Sequence, residues 1–291
     1  MSRRSKAFSA LFLSPALVIY TILIVIPMII CIYYSLTKWD GVSKPVFAWF
    51  RNYIYMVGDS DYWLVFANTA KLFLYTLIFQ FPIGLILAYL LFRLNKGFKF
   101  FRTVYFFPVV VAPIIIGVMF SLIYNGDTGA LNKLLQLVGL GSWKHSWLSD
   151  PKVVLGAVIF PQVWQYIGLF VMLFLASMVS IPEELFESAE LDGASSFRIF
   201  TNVVVPLVLN VVQISIVLIL TGSLKSFEYS WAMTLGGPGY TTSYLAVYMY
   251  KEAFARNLFG YANAVTVSML ACAIVLTIII NGFFRKRSIQ Y

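Results

Sequence analysis

Long runs of apolar residues alternate with shorter polar stretches along this chain. A helix needs about 20 predominantly apolar residues to cross the hydrocarbon core of a bilayer, and six runs reach that length. The pattern therefore predicts an all-α, polytopic membrane protein with both termini on the same side of the membrane. The predicted transmembrane helices are residues 11–35, 65–91, 104–124, 153–179, 203–224 and 262–283.

Prolines lie inside these predicted spans and predict kinks, because neighbouring helices of a membrane bundle can satisfy the backbone groups that a proline frees. They are Pro15, Pro27, Pro82, Pro113, Pro161 and Pro206.

The composition agrees with a membrane protein. Of the 291 residues, 60% are hydrophobic and 11% are charged, whereas soluble domains carry about 25% charged residues. This excess of apolar surface excludes a soluble enzyme, a disordered chain, a collagen-like fibre and a disulfide scaffold. The first apolar run is too long for a signal peptide and is expected to remain as the first membrane helix.

The basic residues predict the orientation. The formal net charge is +9, but Lys and Arg lie beside the apolar runs, where the positive-inside rule explains them without nucleic acid as a partner. One set of loops is about twice as dense in Lys and Arg as the other. This set is predicted to be cytoplasmic, together with both termini. It comprises residues 1–10, 92–103, 181–202 and 284–291.

One cytoplasmic segment departs from this charge rule, because five of the twelve acidic residues lie between Glu183 and Asp192. Ser180 and Glu183 fit a capping box, and Pro182 suits a first helical turn. The acidic residues there complement the helix dipole. These features predict a short helix that begins close to Glu183.

Apolar residues recur along this helix at three- and four-residue spacing, which predicts one apolar face. Gly193 then allows a sharp turn into a second short helix that leads to Pro206. A face of this kind without basic residues favours a protein partner, and the alternative is a solvated linker with ordinary capping. The residues of the face are Leu185, Phe186, Ala189 and Gly193.

A recognisable pattern stands in this segment: Glu187-Ser188-Ala189, Asp192-Gly193-Ala194, Phe197 and Phe200, then Val203 and Pro206. It resembles the EAA loop of ABC-importer permeases, in which a coupling helix sits in a cleft of the cytoplasmic ATPase. It departs from the family at Ser188, where Ala is usual, and at Val203 and Val205, where Ile and Leu are commoner. The resemblance implies ATPase-coupling roles for Glu187, Ser188, Ala189, Asp192, Gly193, Ala194, Phe197 and Pro206.

Further matches lie along nearly the whole chain: Tyr105-Phe-Phe-Pro108, Trp147-Leu-Ser-Asp150, Phe227–Gly239 with its Gly-Gly-Pro-Gly end, Tyr248–Phe254 and Phe259–Asn263. They resemble the sugar-permease branch, the subunits similar to the first permease of maltose and glycerol-phosphate importers. The resemblance implies a MetI-like bundle with spans two to six as its core. It also implies a second homologous permease, two ATP-binding subunits that hold ATP and Mg, and an extracytoplasmic solute-binding protein.

The predicted organisation has three parts. Residues 1–64 form the N-terminal tail, the first helix and an outer loop. Residues 65–284 form the transmembrane domain with the EAA-like loop at 181–206, and residues 285–291 form a basic cytoplasmic tail.

No catalytic constellation is visible. His145 is the only histidine, so neither a histidine metal cluster nor a catalytic triad is predicted, and it is expected to be exposed in an outer loop. No Gly-x-x-x-x-Gly-Lys-Ser/Thr motif occurs, so another subunit must hydrolyse ATP. The spans contain no Asp or Glu, which are the usual ion sites of gradient-driven transporters. We expect a non-catalytic subunit without a metal or cofactor of its own.

Polar and aromatic residues cluster in span four and at the end of span five. Amides and carboxylates suit sugar hydroxyls and rings suit sugar C–H faces, while the alternative is that these groups bridge helices or mark the interface. The family's substrate positions fall near Gln162, Gln165, Tyr166, Ile219 and Ser223, of which Ile219 is apolar. The predicted substrate path comprises Gln162, Trp164, Gln165, Tyr166, Ser223, Lys225, Phe227 and Glu228.

Two further expectations concern single groups. Lys225 could pair with a phosphate, but Glu228, one helical turn on, is expected to neutralise it. Aromatic residues after span five are expected to anchor an interfacial helix in the membrane lipid, or to help dock the binding protein. These residues are Tyr240, Tyr244, Tyr248, Tyr250 and Phe254.

The leading hypothesis is a permease subunit of a bacterial ABC importer for a sugar or oligosaccharide, located in the cell membrane. Closure of the ATPases would push the helix around Glu187–Gly193 and rock the spans. One alternative keeps the permease but changes the cargo to glycerol-3-phosphate, a polyol or a peptide-like solute. Others are an ion-gradient-driven transporter or channel, and a membrane-bound enzyme.

Overall fold

The computed structural model describes residues 3–94 and 96–285, with side chains described from Phe12 onward. Of the predicted basic tail, residues 286–291 lie outside the described residues. The described chain is helical apart from loops and one two-stranded antiparallel ribbon, Thr37–Lys38 with Val46–Phe47. The all-α prediction is confirmed.

Each predicted span corresponds to a helix or to a pair of helices. Among the described residues, five helices are long and apolar enough to cross a membrane: Phe12–Ser35, Ser60–Phe92, Val154–Val179, Leu209–Thr234 and Phe259–Phe284. A sixth candidate, third in chain order, is the pair Phe98–Val110 and Pro113–Ile123. We number these six elements as the first to sixth span.

The third span is not the single helix predicted at 104–124, because its two helices are bent by 92°. Val111 and Ala112 between them have extended backbone angles. The residue before a proline disfavours the helical conformation, so the bend falls directly before Pro113.

Three of the six predicted kinks take the form of five-residue π turns. A proline removes one N–H from the helix and crowds the carbonyl four residues before it, and the wider π turn relieves that crowding locally. Each π turn ends two residues before a proline, whereas Pro15 and Pro161 lie inside helices that continue past them. The turns are Thr21–Val25, Thr76–Gln80 and Phe200–Val204, before Pro27, Pro82 and Pro206.

The fifth span begins later than predicted, at Leu209 instead of Val203. It consists of helices Leu209–Lys225 and Glu228–Thr234, separated at Ser226 and Phe227. Shorter elements connect the spans: Arg51–Gly58, Ala130–Leu137, a 3₁₀ turn at Gly141–Trp143, Glu183–Leu191, Ser196–Ile199, Val205–Leu207 and Leu245–Phe254.

The EAA-like segment (residues 181–206) folds as a short helix, a turn and a second helical stretch, as the sequence predicted. Gly193 adopts φ +75° after helix Glu183–Leu191, a conformation that glycine adopts without strain. The prediction of a capping box is wrong, because Pro182 is the N-cap and the Ser180 hydroxyl donates to the Ser177 carbonyl at 2.7 Å. Glu183 and Glu184 do stand in the first turn.

The chain divides into two compact units. The first comprises the chain up to Ser60 together with Met249–Ala271, and in it the Tyr34 and Trp39 rings stack at 4.2 Å. The second comprises Asp61–Tyr248 and the chain from Cys272 onward. The large buried apolar clusters and the predicted site residues all lie in the second unit.

Two glycines allow the spans of the second unit to approach closely. A Cβ atom at Gly84 of the second span would lie 2.7 Å from the Cβ of Phe170 on the fourth. A Cβ atom at Gly168 of the fourth span would overlap the carbonyl oxygen of Tyr105 on the third. Small residues serve this purpose in membrane bundles, and here they bring spans two and three against span four.

Candidate functional site

A polar cavity of about 320 Å³ lies between the second, fourth and fifth spans. Five of the eight predicted substrate-path residues line it: Gln162, Tyr166, Ser223, Lys225 and Glu228. The fold therefore brings together residues that are more than 60 positions apart in the chain. We call this space the polar cavity.

On the fourth and fifth spans, polar side chains that line the cavity form hydrogen bonds within the protein. The Ser226 hydroxyl donates to the Gln162 side-chain oxygen at 2.8 Å, and the Ser223 hydroxyl donates to the Ile219 carbonyl at 2.8 Å. Ile219 also lines the polar cavity, so the apolar position noted in the sequence faces the same space. The Ser226–Gln162 bond joins the fourth and fifth spans at the cavity, whereas the Ser223–Ile219 bond lies within the fifth span.

The remaining three predicted substrate-path residues lie elsewhere. Trp164 is 38% exposed and its ring lies 5.8 Å from that of Phe120. Phe227 stacks on Trp231 at 5.2 Å. Gln165 is completely buried. None of the three is among the residues that line the polar cavity.

Gln165 instead holds the bend of the third span. Its amide nitrogen donates to the carbonyl oxygens of Pro108 at 2.9 Å and Val111 at 2.7 Å, and its oxygen accepts from the Tyr229 hydroxyl. Both carbonyls lie at the bend, where the Pro108 carbonyl also accepts from the Val111 N–H at 3.2 Å and the Val111 carbonyl lacks the partner that a continuous helix would give it. Gln165 therefore joins the third, fourth and fifth spans through buried hydrogen bonds.

The expected pairing of Lys225 with Glu228 is wrong for this structure. Lys225 ends one helix and Glu228 begins the next, and the chain is extended at Ser226 between them. The two positions therefore lose the helical spacing that would bring their charges together. In the part of the chain that the structure describes, Lys225 forms no ion pair.

Two lining residues of the second span were missed by the sequence analysis. Thr76 and Gln80 are 6% and 2% exposed, and both line the polar cavity. They begin and end the π turn before Pro82. A polar pair four residues apart in an otherwise apolar run was the available signal, but the spacing alone did not show which face it occupied.

The EAA-like segment packs on the end of the second span. Phe186 is buried with its ring 5.3 Å from Phe92, and Arg93 lies 2.8 Å from Glu190. The Tyr89 hydroxyl donates to the Ser196 carbonyl at 2.9 Å. The second span thus contacts both helical stretches of the segment.

The predicted apolar face of this segment is only partly buried. Phe186 and Ala189 pack on the apolar cluster of the second unit, but Leu185 and Gly193 are exposed. Of the predicted coupling residues, Ala189, Ala194 and Pro206 are half-buried. The exposed ones are Glu187, Ser188, Asp192, Gly193 and Phe197. The opposite face of the segment therefore presents acidic groups with the exposed side chains of Leu191 and Phe197.

Another cavity, of about 900 Å³, is lined by Lys71, Lys152 and several aromatic rings. Close to it, the Asn68 amide donates to the carbonyls of Thr241 at 2.9 Å and Ser243 at 3.2 Å. Asn68 thereby fixes the loop after the Gly236–Gly239 stretch to the second span.

The expectations for His145, Tyr244 and Tyr248 are wrong. His145 is half-buried, with its Nδ1 atom 3.2 Å from the Asp150 carboxylate. Tyr244 and Tyr248 are completely buried and do not anchor in the lipid headgroups, whereas Tyr250 and Phe254 are exposed. Burial raises the pKa of the Tyr244 hydroxyl far above its usual value.

Comparisons with known proteins agree with this arrangement. The sequence profile of the family described as "Binding-protein-dependent transport system inner membrane component" matches residues 80–288. The chain is 34% identical to the probable ABC transporter permease protein YurN of Bacillus subtilis, over 98% of both chains.

Two similar proteins have names that state a cargo. The chain is 30% identical to the probable starch degradation products transport system permease protein AmyD of Thermoanaerobacterium thermosulfurigenes, over 100% of both chains. It is 31% identical to the diacetylchitobiose uptake system permease protein NgcF of Streptomyces coelicolor, over 94% of this chain and 81% of that protein.

The fold also matches a solved structure, of a bacterial ABC transporter involved in the import of the acidic polysaccharide alginate. The TM-score is 0.83 at 22% identity, over 98% of this chain and 96% of the other. A second structure of the alginate transporter, in complex with an alginate pentasaccharide-bound periplasmic protein, matches with a TM-score of 0.83 at 21% identity. The predicted permease fold is confirmed.

Proposed function

The chain belongs to the family of inner membrane components of binding-protein-dependent transport systems, and on that premise we propose that it is a permease subunit of a bacterial ABC importer for a sugar or oligosaccharide. One structural observation carries the proposal. The second span lines the polar cavity with Thr76 and Gln80, and the same span contacts the EAA-like segment at Tyr89 and Phe92.

The polar cavity is proposed as part of the substrate path. Its amide, hydroxyl and charged side chains suit sugar hydroxyls, and the Tyr166 ring suits a sugar C–H face. The names of the relatives that transport starch degradation products and diacetylchitobiose support a carbohydrate cargo. The permease makes no covalent bond, because transport requires only that cargo and ATP bind the conformations of the complex with different affinities.

The EAA-like segment is proposed to receive the motion of two ATP-binding subunits, which bind ATP and Mg²⁺. Its exposed acidic and apolar groups support a protein partner on that face. A second homologous permease would complete the path, and an extracytoplasmic solute-binding protein would deliver the cargo. The density of Lys and Arg beside the spans supports cytoplasmic termini in the bacterial cell membrane, where lipid surrounds the helices.

The proposal is tested in proteoliposomes that contain the whole complex. ATP inside the vesicles should drive uptake of maltotriose or N,N′-diacetylchitobiose in the presence of the binding protein. An uncoupler should leave that uptake unchanged. Uptake that needs no ATP and collapses with the uncoupler would instead establish an ion-gradient-driven transporter.

The coupling role is tested at Gly193, whose φ of +75° only glycine and asparagine adopt readily. Nothing lies within 4 Å of a Cβ atom at this position, so a substitution acts through the backbone alone. Gly193→Val should lower uptake for each ATP hydrolysed, whereas Gly193→Asn should retain most of it. Equal transport by both variants would contradict the coupling role.

A phosphorylated cargo is the second candidate, and Lys225 at the polar cavity favours it, because it forms no ion pair among the described residues. An ammonium group that no carboxylate pairs with suits a phosphate such as that of glycerol-3-phosphate. A competition assay separates a sugar cargo from a phosphorylated one. Excess unlabelled glycerol-3-phosphate should reduce the ATP-driven uptake of labelled sugar only if the permease accepts glycerol-3-phosphate as its cargo. The same assay with a polyol such as sorbitol tests the remaining permease alternative.

A further inference from the structure

The polar cavity has a side that its own hydrogen bonds do not satisfy. Gln162 and Ser223, on the fourth and fifth spans, have protein partners within hydrogen-bond distance. On the second span the situation is the reverse. The Thr76 hydroxyl is buried and has no hydrogen-bond partner among the described residues.

Gln80 stands one turn further along the same span and is 98% buried, since its exposed fraction is 2%. Within residues 3–94 and 96–285, its side-chain amide likewise has no protein partner. An amide offers two donors and an acceptor. Thr76 and Gln80 therefore line the same cavity, and the Thr76 hydroxyl is buried in its wall without a partner among the described residues.

The Thr76 hydroxyl is costly in this state unless something binds it. A buried polar group without a partner loses its hydration and gains nothing in return. Most native polar groups of this kind are satisfied, and each exception calls for a physical reason. Because both groups line a cavity, a bound molecule can supply the missing partners.

The local backbone also points to a site. Thr76 and Gln80 are the first and last residues of a π turn, and single π turns inside helices occur often at functional sites. Pro82 accounts for the presence of a turn, but it does not account for polar residues at both ends of it. The chemistry is that of a hydroxyl-rich ligand, since Thr accepts and donates and Gln does both at separate atoms.

We propose that Thr76 and Gln80 of the second span bind hydroxyl groups of the transported saccharide and help to determine which saccharide passes. This inference rests on the proposed function and deepens it. It adds a third side to a path that the sequence placed only on the fourth and fifth spans. The second span also carries the contacts to the EAA-like segment, so these two ligands stand on the helix that the segment touches.

Substitution by an isosteric apolar residue tests the hydrogen bond directly. Thr76→Val removes a hydroxyl that has no protein partner, so the empty complex should be as stable as the wild type or more so. The half-saturating concentration for uptake should nevertheless rise about 3- to 10-fold, which is the range for one neutral hydrogen bond. Gln80→Leu should act in the same direction.

Ser215→Ala is the matched control. Ser215 is on the fifth span, and its hydroxyl, like that of Thr76, is buried without a partner among the residues that the structure describes, but Ser215 does not line the polar cavity. This variant should leave the half-saturating concentration unchanged. Equal effects of Thr76→Val and Ser215→Ala on uptake, or no effect of Thr76→Val, would overturn the proposal.

A second measurement does not depend on knowing the cargo. In a complex whose permease lacks Cys31 and Cys272, Thr76→Cys should react with a small charged methanethiosulfonate, and Ser215→Cys should not. Maltotriose and N,N′-diacetylchitobiose serve as protecting probes, and at least one should slow the reaction. A Thr76→Cys thiol that stays unreactive with and without ATP would contradict a place on the path. A different result, in which the Thr76→Cys thiol reacts but the wild-type complex shows no ATP-driven uptake, would refute the proposed function instead.

Discussion

The guanidinium group of Arg93 lies 2.8 Å from the carboxylate of Glu190. This ion pair joins the residue that follows the second span to the last turn of helix Glu183–Leu191. Its side chains are 38% and 50% exposed, and ion pairs at such positions contribute only about 0–1 kcal/mol to stability. The pair is therefore better placed to orient the helix than to stabilise the fold.

Reversing one charge of this pair should reduce coupling. Arg93→Glu places two carboxylates together and should push helix Glu183–Leu191 away from the second span, so that less sugar is taken up for each ATP hydrolysed. Glu190→Arg should have a similar effect. The ratio of uptake to ATP hydrolysis in proteoliposomes measures this.

The control is the double variant Arg93→Glu/Glu190→Arg, which restores opposite charges. It should recover much of the ratio, while all three variants unfold within about 1 kcal/mol of the wild type. If the double variant is no better than the single ones, the contact does not orient the helix.

Replacing Gln165 by an apolar residue should lower the stability of the protein. Gln165→Leu leaves the Val111 carbonyl without its partner, removes the second partner of the Pro108 carbonyl, and takes away the amide oxygen that accepts from the Tyr229 hydroxyl. Each unsatisfied group costs about 1–3 kcal/mol, so the thermal midpoint of the purified complex should fall by several degrees or more.

Gln162→Leu is the comparison for Gln165→Leu. It frees only the Ser226 hydroxyl, and Ser226 lines the polar cavity. Its thermal midpoint should stay close to that of the wild type. A midpoint for Gln165→Leu that is no lower than this would argue against the bridging role.

Gly168 should tolerate no side chain. In Gly168→Ala the new methyl group would overlap the Tyr105 carbonyl, so the third span must move away from the fourth. We expect a loss of about 2–4 kcal/mol or failure to accumulate in the membrane. Folded yield and denaturant midpoint are the measurements.

Gly156→Ala, on the same helix, provides the contrast. Nothing lies within 4 Å of a Cβ atom there, and Ala favours a helix over Gly by about 0.5–1 kcal/mol. This variant should be neutral or slightly stabilising. Similar losses at both glycines would mean that helix packing does not explain the effect.

The spans were predictable from sequence because each is a long apolar run whose length alone identifies it. The 92° bend of the third span was not predictable from sequence. Pro113 signals that the helix is interrupted, but the angle between its two halves depends on tertiary contacts such as the one between Gln165 and the Val111 carbonyl. Gln165 itself looked like a substrate contact. Amide chemistry suits a sugar and a helix bend equally, and only the packing distinguishes them.

The EAA-like segment also has one feature that the sequence predicts and one that depends on packing. Its turn at Gly193 followed from residue type, because few other residues adopt that conformation. Its buried face did not, since regular spacing placed Leu185 and Phe186 together while the second span covers only Phe186. Thr76 and Gln80 escaped notice because their orientation depends on which neighbouring helices face the second span.

The same substitution should have opposite effects on stability at two buried tyrosines. Tyr244 and Tyr229 are 0% and 1% exposed and belong to the same apolar cluster. The Tyr244 hydroxyl has no hydrogen-bond partner among the described residues, whereas that of Tyr229 donates to Gln165. Removing a buried polar group that has no partner removes its desolvation cost. Removing one that has a partner leaves that partner buried without a hydrogen bond.

Tyr244→Phe should therefore raise the free energy of unfolding or leave it unchanged, while Tyr229→Phe should lower it by about 1–2 kcal/mol. Both substitutions delete one oxygen and keep the ring, so packing is matched between them. Thermal midpoints of the purified complex give the comparison. A loss of stability in Tyr244→Phe as large as that in Tyr229→Phe would show that a partner, such as an internal water molecule, satisfies the Tyr244 hydroxyl.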